Sequence, residues 1–181
     1  MSTRRLAALA GAVAAVCGLL AGSAPAHAQA NPLQRGPAPT AASVTSERGT
    51  FAIATQAVAR QTGFNGGTVY YPTSTMQGTF GVIVPTPGFT EGQNVQAWAA
   101  NLLASNGFVV MTINTNTVLD FPTARSNQMR AAMTWLTIQS PAVVRNQIDA
   151  GRQAFIGHSM GGGGTLESAR AMPQLQAAVG L

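Results

Sequence analysis

Ala154-Phe155-Ile156-Gly157-His158-Ser159-Met160-Gly161-Gly162-Gly163-Gly164 is the stretch that decides the fold. Ala154-Phe155-Ile156, entered from Gln153, is a short apolar run suited to a buried strand, and Met160–Met172 has the make-up of a helix. Between them, Gly157-His158-Ser159-Met160-Gly161 fits G-x-S-x-G in the context that gives this pattern meaning, with a strand leading in and a helix leading out. Such a serine sits on a tight, strained turn that lifts its hydroxyl above the carboxyl edge of a sheet. Small residues two positions to either side keep neighbouring backbone from colliding. The N–H of Met160 opens the helix and faces the place where negative charge would develop on a carbonyl attacked by Ser159. One such donor contributes roughly 3 kcal/mol to a transition state. The plainer alternative is a glycine-rich strand-to-helix turn with no chemistry in it.

Working outward, strands and helices alternate. Phe80–Val84 is an unbroken apolar run, as expected of a strand buried on both faces, and it stops at the turn Pro85-Thr86-Pro87-Gly88. Val95, Trp98, Ala99 and Leu102 then follow helical spacing, closed by Gly107. Phe108–Ile113 returns to a strand, and Met129, Ala132, Met133 and Leu136 repeat the helical period. Upstream, Phe51–Val58 and Thr68–Tyr71 read as a hairpin or meander. Downstream, Leu175–Leu181 reads as a further strand. These units predict an α/β fold: a mostly parallel central sheet with helices on both faces. A central parallel strand as the last element would leave its next neighbour unbuilt, so the chain reads as truncated on its C-terminal side.

The other end sets the compartment. Arg4-Arg5, an apolar run from Leu6 to Leu20 and Ala26-His27-Ala28 follow the order of a secretory signal, predicting cleavage after residue 28 and an extracellular or periplasmic destination. The run is too short for a membrane span. Residues 29–47, rich in Pro, Ala, Thr and Ser, read as an extended arm, and residues 48–181 as a partial catalytic domain. The only cysteine, Cys17, leaves with the signal. The mature chain keeps eight arginines against five acidic residues, a net charge of +3 with no lysine. Scattered single arginines are not the clustered stripe of a nucleic-acid binder. The low charge suits an uncharged substrate.

A second backbone donor is expected after an earlier strand, and Pro87-Gly88-Phe89-Thr90 stands in that place. Gly88 would let the chain bend close enough for the N–H of Phe89 to turn inward. Phe89 as a core residue in an ordinary Pro-Gly turn is the alternative. His158 directly precedes Ser159 on a sharp turn, so their side chains should diverge, leaving His158 to line the cleft or bond locally. Glu47, Glu91, Asp120 and Asp149 all precede Ser159, whereas this chemistry runs Ser, then Asp or Glu, then His. Glu167 follows, but two turns down the same helix, facing away. Asp149 is expected to cap a turn before the Gln153 strand and Asp120 to shape the loop after the Phe108 strand. No metal cluster and no phosphate loop is legible.

These residues carry a family resemblance. Gly67-Thr68-Val69-Tyr70-Tyr71-Pro72, Pro87-Gly88-Phe89-Thr90, Leu103-Ala104-Ser105-Asn106-Gly107-Phe108-Val109-Val110, Asn114-Thr115-Asn116 with Leu119-Asp120 and Pro122, and Gly157–Gly164 resemble the bacterial cutinase-like polyester hydrolases, the group that includes poly(ethylene terephthalate) hydrolases. The resemblance implies an α/β-hydrolase fold, cleavage of polymeric or small esters without a cofactor, and a monomer at full length. It assigns Ser159 as nucleophile, the N–H groups of Phe89 and Met160 as oxyanion hole, and Phe89 and His158 as substrate contacts. It also implies that the triad Asp and His follow Leu181. A lipase or short-chain esterase is the neighbouring alternative. A non-catalytic secreted remnant is the rival from another class.

Overall fold

The computed structural model describes residues 31–181, so the signal expected at residues 1–28 lies outside the described residues. In chain order the elements are α1 (Ala41–Val44), β1 (Ile53–Val58), β2 (Gly67–Pro72), β3 (Phe80–Thr86), α2 (Ala97–Ser105), β4 (Phe108–Ile113), α3 (Pro122–Thr134), α4 (Ala142–Arg145), β5 (Ile148–Gly157), α5 (Met160–Ala171) and β6 (Ala177–Gly180). The six strands form one sheet in the order β1-β2-β4-β3-β5-β6. β3 runs parallel to both β4 and β5, and β5 parallel to β6, while β1 and β2 join antiparallel at one side. This is the α/β-hydrolase architecture expected, with its parallel part built from the apolar runs.

Period-2 alternation divides the core between two faces. Val82 and Val84 of β3, Val109 and Met111 of β4 and Phe155 of β5 pack on one face with Met129, Ala132, Met133 and Leu136. Ile83, Val110, Ala154 and Ile156 face the other way, against Ala100, Leu103 and Ala104 of α2. β3 is buried along its whole length, as its unbroken apolar composition predicts. α5 lies against α3: a side chain at Gly164 would come within 3.0 Å of the Ser126 nitrogen, and Ser126 Oγ meets Ser168 Oγ at 2.8 Å.

Several expectations shift. The extended arm contains one helical turn, α1, because Thr40 and Ser43 form a reciprocal capping box. β1 begins at Ile53 and not at Phe51, whose ring instead meets Phe80 edge-on at 5.6 Å. β5 begins at Ile148, so Asp149 lies within the strand and not in a turn before it. The register against β3 slips between Phe80 and Val82, which accommodates Asp149-Ala150-Gly151. Asp149 accepts the Gly151 N–H at 3.0 Å and pairs with Arg152 Nε at 2.8 Å. α3 ends at Thr134, and Leu136 falls in a π-helical turn over Trp135–Gln139.

What matters for the site is where the parallel strands stop. Thr86 pairs with Gly157, and Gly157 with Gly180, so three carboxyl-terminal strand ends stand in one row. Loops leaving that row emerge side by side, the usual place for a site on such a sheet.

Candidate active site

Ser159 occupies the bend between β5 and α5 at φ 51° and ψ −114°, a conformation that residues other than glycine rarely adopt. Holding it costs on the order of 1–3 kcal/mol, which the surroundings must offset. They do so with backbone hydrogen bonds: Ser159 N–H donates to Leu181 O at 2.9 Å, His158 N–H to Thr86 O at 3.1 Å and Gly161 N–H to His158 O at 2.7 Å. The flanking glycines are required by space. A Cβ on Gly157 would overlap the carbonyl of Gly161, and one on Gly161 would overlap the Thr86 oxygen and lie 2.6 Å from that of Pro87. Ser159 is exposed, and among the described residues its hydroxyl has no hydrogen-bond partner.

Two amides border this bend. Among the described residues, neither Met160 N–H, at the first position of α5, nor Phe89 N–H donates to an acceptor. Phe89 follows β3 in a loop bent sharply at Thr90 (φ 63°), whose N–H donates to Val118 O at 2.8 Å. The Phe89 side chain is 42% exposed, which sets aside its alternative as a core residue. Its ring lies 6.3 Å from that of Phe121, itself 66% exposed. With Val118 and Leu119, also exposed, these rings make an apolar rim along the loop edge.

His158 turns away from Ser159, as the sharp bend dictates, and its Nδ1 lies 3.0 Å from Glu91 Oε2. That contact first, with the Gly88 N–H bond and the charges of His158 and Arg125, holds the Glu91 carboxyl below the usual range against the opposing effect of burial. Asp120 accepts from Thr117 N–H at 3.0 Å and Gln128 Nε2 at 2.8 Å, so it shapes its loop as expected. Burial pushes its carboxyl upward, but these bonds, the Thr117 hydroxyl and the Arg125 charge outweigh it and hold the carboxyl low. Glu167 accepts from the Thr123 hydroxyl at 3.1 Å on α3. The imidazole nearest in sequence to Ser159 is thus engaged with Glu91 and not with the serine hydroxyl. Among the described residues no group of three or more His, Cys, Asp or Glu could hold a metal ion.

The roles of three contributors were not legible in the sequence. Arg125 is fully buried: Nε donates to Asp120 O at 2.7 Å, one terminal nitrogen to Pro87 O at 2.9 Å and the other to Val118 O at 2.8 Å. A buried guanidinium thus props the Phe89 loop from beneath, and desolvation lowers its proton affinity. Glu91 and Phe121 are the others. Each reaches at least one partner on a distant loop, Pro87 for Arg125, His158 for Glu91 and Phe89 for Phe121, and no local pattern announces those contacts.

The model of a family described as PET hydrolase-like matches residues 27–181. The chain belongs to the PET hydrolase-like family. It is 54% identical over 182 residues to the bis(hydroxyethyl) terephthalate hydrolase of Streptomyces coelicolor, a match covering 98% of this chain and 58% of that protein. It is 45% identical to cutinases of Thermobifida fusca and Thermobifida alba, over 88% of this chain and 50% and 53% of theirs. The PET hydrolase-like chain therefore spans little more than half the length of these relatives. Among its described residues no helix is long and apolar enough to cross a membrane.

Proposed function

We propose that the full-length protein carrying this chain is a secreted serine hydrolase of carboxylic esters, acting on polyesters and small esters through an acyl-enzyme. The observation that carries this reading is the exposed Ser159 on a strained bend beside two unpartnered amides. Ser159 Oγ attacks the ester carbonyl, and the developing oxyanion takes hydrogen bonds from the Phe89 and Met160 N–H groups. The serine proton passes to a histidine and from it to the leaving alcohol as the acyl–oxygen bond breaks; water then repeats the sequence to free the acid. His158 is turned to Glu91 and cannot be that base, so the reading requires a histidine and its carboxylate from outside these 181 residues.

The substrate class follows from the rim. Phe89, Phe121, Val118 and Leu119 offer an open apolar surface with no formal charge, suited to the acyl or aromatic units of an ester chain lying across it. The names of the relatives, a terephthalate-ester hydrolase and cutinases, support the same class.

The test is fluorophosphonate labelling of full-length protein followed by peptide mass spectrometry. Label on Ser159 with loss of activity is expected. Label elsewhere, or none on an active preparation, rejects the assignment.

A further inference from the structure

Glu91 makes contacts that the proposed reaction does not itself require. Its Oε2 accepts the Gly88 N–H at 2.6 Å and lies 3.0 Å from His158 Nδ1, while its own N–H closes the turn onto Gly88 O at 3.3 Å. An ionised carboxylate only accepts, so His158 Nδ1 carries the proton and donates it. One oxygen atom thereby joins two loops 67 residues apart in sequence.

The placement gives that oxygen its significance. Gly88 immediately precedes Phe89, and His158 lies two residues before Met160. Each amide assigned to the oxyanion hole is therefore within two residues of a group held by the same carboxylate. Both segments are bent into costly conformations, at Thr90 (φ 63°) and Ser159 (φ 51°), so neither keeps its shape by local preference. Packing around the contact is tight: a Cβ at Gly88 would lie 2.8 Å from Glu91 Oε2 and 2.9 Å from His158 Nδ1. Arg125 braces the loop below through Pro87 O, but among the described residues the Glu91–His158 pair is the side-chain bond that ties the loop to the bend bearing Ser159.

We propose that Glu91 is a positioning residue, whose carboxylate sets the spacing between the Phe89 and Met160 amides without touching the ester. The inference rests on the hydrolase reading above. The side chain is partly exposed, so its replacement is compatible with a folded protein. Small displacements matter here, because misplacing a catalytic group by about 1 Å can reduce rate about 100-fold.

The experiment uses the full-length enzyme, with wild type first shown to label at Ser159, and compares Glu91→Ala and Glu91→Gln. With p-nitrophenyl butyrate, Glu91→Ala is expected to lower kcat about tenfold or more with KM within about twofold. Affinity for a boronic acid mimic of the tetrahedral state should fall by a similar factor. Glu91→Gln, whose amide oxygen can still accept from Gly88, should recover part of the loss. Combining Glu91→Ala with His158→Ala should cost less than the two single effects together. A labelled wild type whose Glu91→Ala variant keeps kcat and inhibitor affinity overturns the role of Glu91 alone. An active but unlabelled wild type overturns the hydrolase reading itself.

Discussion

Replacing Gly157 by alanine puts the bend at Ser159 under a load that can be sized from its surroundings. The new Cβ would overlap the carbonyl of Gly161 and approach the Gly162 nitrogen to 2.5 Å, where ordinary contact begins near 3.4 Å. All three atoms are backbone, in the first turn of α5, so no side chain can swing aside. The turn must open by about 1 Å, enough to move Ser159 and the Met160 N–H off line and reduce kcat/KM by about 100-fold or more. Overpacking of this kind costs about 1–3 kcal/mol of stability, or roughly 2–12 °C in Tm for a domain this size. The assay is p-nitrophenyl butyrate hydrolysis by full-length enzyme alongside thermal unfolding followed by circular dichroism. Gly81→Ala in β3 is the control, because its Cβ would meet nothing nearer than 3.4 Å. A Gly157→Ala enzyme with wild-type kcat/KM and Tm would refute the steric reasoning.

Other consequences are open to measurement. Arg125→Met would leave the carbonyls of Pro87 and Asp120 without the guanidinium donor in a buried site and Val118 O with the Thr90 N–H alone, costing about 3 kcal/mol by urea unfolding; Arg125→Lys should not restore it, since an ammonium lacks the planar fork. Phe121→Ala should lower kcat/KM roughly fivefold for a bulky aromatic diester, a loss of about 1 kcal/mol of apolar contact, and leave p-nitrophenyl acetate within twofold. The Asp120 carboxyl is held below its ordinary value near 4, so its contribution is full above that pH and disappears as pH falls through the lowered value. Asp120→Asn should therefore destabilise at pH 7, with the gap to wild type closing towards pH 3 in thermal midpoints.

The parallel part of the sheet was legible because burial on both faces leaves its mark in Phe80–Val84 and Phe108–Ile113. The bend at Ser159 was legible because its geometry tolerates few residue types at Gly157 and Gly161. Strand order was less so: nothing local in Gly67–Pro72 says that it pairs antiparallel to β4. The start of β5 was hidden by Asp149-Ala150-Gly151, which has turn composition and enters the strand only through an irregular register. Glu91 was set aside only as an acid that precedes Ser159 in sequence, since its relation to His158 exists only once two loops meet. Arg125 carries the same lesson more strongly, being a charged residue on a helix whose burial no periodicity indicates.

The most direct test is a crystal structure of the full-length enzyme with a phosphonate bound covalently to Ser159. The phosphonyl oxygen is expected within about 3.1 Å of both the Phe89 and Met160 nitrogens. A phosphonyl oxygen directed away from both amides, with Ser159 carrying the adduct, would contradict the oxyanion hole on which the hydrolase reading stands.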